Sequence, residues 1–210
     1  MWQLFLGSML LGLIHPLFPN HWIPLIAISK TEKWTNKETI FATLITGFSH
    51  TLSTIIIGII VGFVGIKLSE SYSYITRIAA PLILVIIGVI YLILDFRSSH
   101  HHHHFEINNG STKDRKSKAA IIFSLCIGLF FSPCIEIEAY YFQASVIGWT
   151  GIITVSLVYT IITLLVMFIL VYLGLKGINR FNSHYLEHHE KTVTGIVMLI
   201  LGLLGFIIKL

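Results

Sequence analysis

Long apolar runs alternate with short polar segments along this chain of 210 residues. Each run has about the 20 residues that a helix needs to cross the hydrocarbon core of a bilayer. The pattern predicts six transmembrane helices, at about residues 2–28, 39–66, 78–96, 119–148, 152–174 and 192–209. The expected fold is therefore an all-α integral membrane protein.

The composition strengthens this prediction. Only 11% of the residues are charged and 55% are hydrophobic, with a mean hydropathy of +0.83, whereas a soluble domain has about 25% charged residues. We expect the lipid bilayer as a partner and no nucleic acid, because the net charge of +4 is better explained by membrane topology. The run from Trp2 lacks the basic region and cleavage site of a secretory signal, which predicts a retained first helix.

Basic residues are distributed unevenly between the two predicted faces of the membrane. The loops 29–38, 97–118 and 175–191 share one face and hold eleven Lys and Arg residues, against three on the other face, namely Lys67, Arg77 and Lys209. The positive-inside rule places the first face in the cytoplasm and both termini outside. The predicted localisation is the cytoplasmic membrane.

The two halves of the chain contain similar segments, which occur in the same order in each half. The segment His50-Thr51-Leu52-Ser53-Thr54 aligns with Tyr159-Thr160-Ile161-Ile162-Thr163, and Gly88 aligns with Gly202. A repeat with an odd number of spans places its two copies in opposite orientations. We therefore predict two inverted three-helix repeats, 1–96 and 119–210, joined by a cytoplasmic loop, 97–118.

Two carboxylates lie in the middle of the fourth predicted helix. Glu136 and Glu138 follow Ser-Pro-Cys, and an unpaired carboxylate in hydrocarbon costs several kcal/mol. Such a group must face protein, water or an ion; protonation or a purely structural hydrogen bond is the alternative. Cys134 and Glu138 are four residues apart and share a helix face, which favours Glu138 as a ligand, while a role for Glu136 requires local unwinding.

The first predicted helix carries His15, Asn20 and His21 around two prolines. On an ideal helix the two histidines would point about 240° apart. Proline removes a backbone donor and breaks the helix, and broken backbone at membrane depth must line a cavity or be buried in protein. We expect the first and fourth helices to be broken, the latter at Pro133, with the second helix adding His50 to the same polar layer.

These side chains point to a transition metal. Imidazole, thiol and carboxylate donors together suit nickel, cobalt, zinc or copper better than calcium or magnesium. The ion would be the transported substrate, and no organic cofactor is predicted. The alternative is that these intramembrane histidines are hydrogen-bonded packing residues. The predicted midplane site consists of His15, Asn20, His21, His50, Cys134, Glu136 and Glu138.

The segment His15-Pro16-Leu17-Phe18-Pro19-Asn20-His21 resembles the H-x4-D-H signature of the nickel/cobalt transporter family, and Gly47-Phe48-Ser49-His50-Thr51 resembles its second histidine motif. That family lies within the amino-acid and metal exporter superfamily of 3+3 inverted-repeat proteins. The resemblance implies that His15, Asn20, His21 and His50 line the metal route. Asn20 replaces the family aspartate, and the segment around Glu136 and Glu138 differs from the usual second motif, so the metal is left open.

Further histidines lie in two loops on the predicted cytoplasmic face. Five consecutive histidines are typical of metal-binding low-complexity sequence. An inserted tag is the alternative, but the internal position and the count of five argue against it. The predicted accessory metal-binding residues are His100, His101, His102, His103, His104, His184 and His188.

The predicted function is a secondary transporter of a divalent transition-metal cation, coupled to protons or another ion because the chain has no G-x4-G-K-[ST] motif. No enzyme is predicted, because the sequence shows no evident pair of nucleophile and base. A transmembrane thiol-disulfide carrier is the first alternative, but Cys126 and Cys134 would lie about 12 Å apart on a helix, beyond the limit near 7 Å for a disulfide. An anion or amino-acid exporter is the second alternative. It would need a cationic midplane, and no Lys or Arg lies in the interior of a predicted span. The direction, the coupling ion and the oligomeric state, including a homo-oligomer, stay open.

Overall fold

The computed structural model describes residues 1–97, 117–132, 134–176 and 190–207. Within those ranges the chain is helical and contains no strand, which confirms the predicted all-α class. Two 3₁₀ turns, His15–Leu17 and Ser145–Ile147, follow the first and fifth helices. The α-helices are α1 (Trp2–Ile14), α2 (Pro19–Thr31), α3 (Asn36–Arg97), α4 (Lys118–Phe130), α5 (Ile135–Ala144), α6 (Trp149–Leu175) and α7 (Glu190–Ile207).

Three helical stretches among the described residues are long and apolar enough to cross a membrane. They are Trp2–Thr31, Asn36–Ser71 and Trp149–Leu175. Three shorter apolar helices are Ile78–Leu94, Lys118–Phe130 and Lys191–Phe206. These stretches are compatible with a membrane protein, and each overlaps one of the predicted spans, but the count of six spans stays a prediction.

Helix α3, 62 residues long, folds back on itself. His50 Nε2 lies 3.1 Å from Cys134 Sγ, and the Tyr91 hydroxyl donates to Glu136 Oε1 at 2.7 Å. Cys134 and Glu136 are only two residues apart in the chain, so their partners His50 and Tyr91 must lie near each other. A straight helix would separate His50 from Tyr91 by about 60 Å. The chain therefore reverses direction between them. We call Asn36–Ser71 the first arm of α3 and Ile78–Leu94 the second arm.

The start of α3 is fixed by a capping box. Glu38 accepts hydrogen bonds from the backbone and hydroxyl of Thr35, whose own hydroxyl accepts from the Glu38 backbone N–H. Lys118, the first residue of α4, forms an ion pair with Glu38 at 2.6 Å. The pair is exposed and adds little stability. It does place the beginnings of α3 and α4 at the same end of the bundle.

The first arm packs between α4, α5 and α6. The Ser49 hydroxyl donates to the Cys126 carbonyl of α4 at 3.1 Å, and Gly58 lies directly against the ring of Tyr141 in α5. Tyr141 and Tyr159 are the largest fully buried side chains at this centre, and the first arm adds buried polar residues such as Thr51 and Thr54. The ends of α4 and α5 are thereby held against the polar part of the first arm.

The second arm packs against α7 almost backbone to backbone. A Cβ atom placed on Gly88 would lie 2.8 Å from the carbonyl oxygen of Gly195, and one placed on Gly202 would lie 2.9 Å from the carbonyl of Pro81. The two helices therefore run antiparallel, and glycine is required where they cross. This seam holds the second arm beside the core.

Substitution of Gly88 by valine is expected to destabilise the bundle by about 1–3 kcal/mol, because the new side chain meets backbone that cannot move aside. The measurement is thermal unfolding of the purified protein in detergent. The matched control is Gly128→Val, because among the described residues no atom outside its own helical turn lies within 4 Å of a Cβ placed at Gly128. Equal melting temperatures for the two variants would contradict the seam.

Candidate metal centre

The first predicted membrane helix is broken at the two prolines, as the sequence predicts. Helix α1 ends at Ile14, a single 3₁₀ turn follows, and Phe18 is extended (φ −67°, ψ 133°) before α2 begins at Pro19. Proline is tolerated at the first position of a helix, because the N–H group that it lacks would have no helical partner there. The break brings the rings of His15 and His21 to a centroid separation of 4.2 Å, which an ideal helix would not allow.

The fourth predicted span is also interrupted. Helix α4 ends at Phe130 and α5 begins at Ile135. Pro133 itself lies outside the described residues. At the end of α4 the Leu129 carbonyl accepts a hydrogen bond of 3.3 Å from the Ser132 N–H. A carbonyl oxygen has a second lone pair, which can accept from a side chain of the first arm of α3.

His50 of the first arm forms a hydrogen bond with the Leu129 carbonyl. It is 1% exposed, and its Nδ1 lies 3.0 Å from the Leu129 oxygen. Only an N–H group can donate to a carbonyl, so Nδ1 carries the proton and the neutral ring has its lone pair on Nε2. Such an outer hydrogen bond is the usual device that orients a metal-binding histidine. His50 Nε2 approaches Cys134 Sγ and lies 3.4 Å from His15 Nε2.

Cys134 completes a group of three donors. It immediately precedes α5, and its Sγ lies 2.9 Å from His15 Nε2 and 3.1 Å from His50 Nε2. These are the three donors that could together hold a metal ion within the described part of the chain. Around a tetrahedral ion with bonds of about 2.0–2.3 Å, neighbouring donors lie about 3.3–3.6 Å apart. Outward shifts of about half an ångström would admit an ion.

His21 places a third imidazole beside this group. It is 8% exposed, its ring centroid lies 5.3 Å from that of His50, and its Nδ1 has no hydrogen-bond partner among the described residues. A buried polar atom without a partner costs about 1–3 kcal/mol. Coordination of an ion would remove that cost.

The two carboxylates have different surroundings. Glu136 accepts from the Tyr91 hydroxyl and lines a small cavity of about 20 Å³ that His15 also lines, together with apolar side chains and Thr194. Both carboxylate oxygens of Glu138 are buried without a hydrogen-bond partner in the described ranges. Neither carboxylate belongs to the group of three donors, and Glu136 lines the same small cavity as His15 of that group.

Several predicted residues cannot be placed in this centre. Asn20 lies in the first turn of α2, but its side chain is outside the described part of the structure. The loop histidines fall in residues 98–116 and 177–189, which also lie outside the described residues. They are His100, His101, His102, His103, His104, His184 and His188.

Two tyrosines that the sequence analysis did not select also contact the centre. The Tyr159 hydroxyl donates to Cys134 Sγ at 3.5 Å, and Tyr91 binds Glu136. Tyr159 carries a usable signal, since it is the residue that aligns with His50 in the second half. Tyr91 sits in an ordinary apolar run and carries none.

Comparisons of the chain with family models, with curated proteins and with solved structures gave no match. The resemblance to the nickel/cobalt transporter family therefore stays a prediction from the motifs around His15 and His50. The function has to be inferred from the chemistry of the centre itself.

Proposed function

We propose that this chain is a secondary transporter of a divalent transition-metal cation across the cytoplasmic membrane. The carrying observation is the convergence of His15, His50 and Cys134, whose donor atoms lie 2.9–3.4 Å apart among apolar helices. Such groups are costly in a low-dielectric interior, and a bound cation compensates that cost. The absence of a nucleotide-binding motif from the sequence favours coupling to an ion gradient.

The origin of the donors supports transport rather than static storage. His15 and His50 belong to the first half of the chain, and Cys134 belongs to the second half. In carriers built from repeats, one half rocks against the other around a site near the midplane. A site with donors from both halves would open when the halves move apart and release its ion.

Two inverted repeats are part of the proposal, and the helix seam supports them. The match of Gly88 with Gly202 has an offset of 114 residues (202 − 88), which also pairs Pro81 with Gly195 (195 − 81). The close contacts Gly88 to Gly195 and Gly202 to Pro81 exchange under this offset, as a two-fold axis between the helices requires. Leu84 and Met198, also 114 apart, are both fully buried.

The charge balance favours a dication. Cys134 as a thiolate and one carboxylate would together neutralise two positive charges, and Glu136 is the carboxylate that shares a cavity with His15. By the positive-inside rule we place the histidine-rich loop in the cytoplasm, where it would bind ions before or after transport.

A thiol-disulfide carrier stays the alternative function. The chain has two cysteines, and Cys126 and Cys134 are both free thiols on opposite sides of the break between α4 and α5. Electron transfer would therefore require a dithiol from another protein. Nothing in the described residues favours that over metal binding.

Flux into proteoliposomes tests the proposal. Zinc, cobalt and nickel are added separately to vesicles loaded with a metal-sensitive dye. We expect wild-type protein to exceed empty vesicles for at least one ion, and His15→Ala to lower the initial rate by at least about tenfold, because it removes a donor that contacts Cys134 Sγ directly.

The matched control is Ser124→Ala on the exposed side of α4, whose hydroxyl donates to the Ala120 carbonyl of its own helix. It should transport like the wild type. Wild-type vesicles no faster than empty ones for every ion, or equal rates for wild type and His15→Ala, would overturn the proposal.

A further inference from the structure

The sulfur atom lies at the centre of the donor group. Cys134 Sγ is contacted by His15 Nε2, by His50 Nε2 and by the Tyr159 hydroxyl. We infer that the site selects zinc, a thiophilic closed-shell dication, over nickel and cobalt. This inference rests on the proposed function. This assigns the cargo from the donors instead of from the nickel/cobalt motif.

Donor chemistry is the first argument. Imidazole nitrogen binds zinc, copper, nickel and cobalt alike and therefore discriminates little between them. Thiolate sulfur is the soft donor that favours zinc and copper(I). Cys134 is 5% exposed and fixed where α5 begins, so any ion held between the Nε2 atoms of His15 and His50 must also meet this sulfur.

Donor number is the second argument. The group of three donors supplies two nitrogens and one sulfur, and the ring of His21, whose buried Nδ1 lacks a partner among the described residues, lies beside it and would add a third nitrogen by moving closer. Four nitrogen and sulfur donors suit tetrahedral zinc, whereas nickel(II) favours square-planar or octahedral arrangements. Glu136 already accepts from Tyr91, which disfavours its use as one of six ligands.

Charge separates zinc from copper(I), the other thiophilic ion. One thiolate with neutral imidazoles would balance a single positive charge. The Glu136 carboxylate lines the cavity beside His15 and adds a second negative charge within the same low-dielectric region. Two negative charges match zinc(II) and would leave copper(I) with an uncompensated carboxylate.

Cobalt(II) serves as the spectroscopic probe, with the full-length protein in detergent. Bound at a four-coordinate site with a thiolate, cobalt should give a sulfur-to-cobalt charge-transfer band and intense visible bands. Zinc should displace cobalt near stoichiometry, and nickel should need at least about a tenfold excess. Cys134→Ser should lose the charge-transfer band and bring the zinc-to-nickel preference to within about threefold of unity.

Cys126→Ser is the matched control, since this thiol lies in α4 outside the donor group, and it should keep the band and the preference. Melting in detergent shows whether each variant is folded, and wild-type vesicles should carry zinc faster than nickel. A cobalt spectrum without the sulfur band, tighter binding of nickel, or transport of copper(I) but not zinc would overturn the inference while leaving metal transport standing. No binding and no flux of any tested ion would instead overturn the proposed function.

Discussion

Replacement of His50 by alanine is expected to lower metal affinity by at least about 100-fold and to destabilise the fold by about 2–4 kcal/mol. His50 has two roles, because its Nε2 faces Cys134 and its Nδ1 binds the Leu129 carbonyl at the end of α4. The alanine variant loses a ligand, leaves a cavity in a buried site, and removes the side-chain partner of that carbonyl.

Isothermal titration with zinc and thermal unfolding in detergent measure the two effects separately. Leu52→Ala is the control, because Leu52 lies two residues along the same arm and is 37% exposed on the apolar surface. It should bind zinc like the wild type and melt close to it. Wild-type zinc affinity in His50→Ala would exclude His50 as a ligand.

Replacement of Glu138 by leucine is expected to abolish transport while stabilising the protein by about 1–3 kcal/mol. The two carboxylate oxygens are buried and have no hydrogen-bond partner in the described part of the chain. An apolar side chain of similar length removes this cost. It also removes a carboxyl group four residues from Cys134 that would line the route of a passing dication.

Glu136→Leu provides the comparison, since it breaks the 2.7 Å hydrogen bond from Tyr91 and should not stabilise the protein. Melting temperature and zinc flux are measured for both variants. A stabilised Glu138→Leu variant with wild-type flux would show that the carboxylate is not needed for transport. A destabilised one would show that Glu138 has a structural partner.

The helices were largely predictable from hydropathy. The apolar runs gave the all-α class, and the prolines gave the break after Ile14. Hydropathy also separated the two arms of α3, although the backbone is helical throughout Asn36–Arg97. The reversal between the arms follows from packing, because apolar residues on both arms have to reach the same core.

The residue types of the candidate metal centre were predictable, but their geometry was not. His15 and Cys134 are 119 positions apart and His50 and Cys134 are 84 apart, so no local pattern encodes their contact. Helix periodicity places His15 and His21 on different sides, and only the extended Phe18 brings the rings together. Periodicity also favoured Glu138, whereas the cavity shared with His15 contains Glu136.

The 119 positions between His15 and Cys134 have a consequence for biogenesis. A ribosome must synthesise more than half of the protein after His15 before the thiol is made, so neither the translocon nor the early membrane intermediate can present a complete set of ligands. The nascent first half would bind metal only weakly, through imidazole alone. Under the proposed function, tight capture would begin only after the second half inserts, so the growing chain would not retain an ion in a misassembled state.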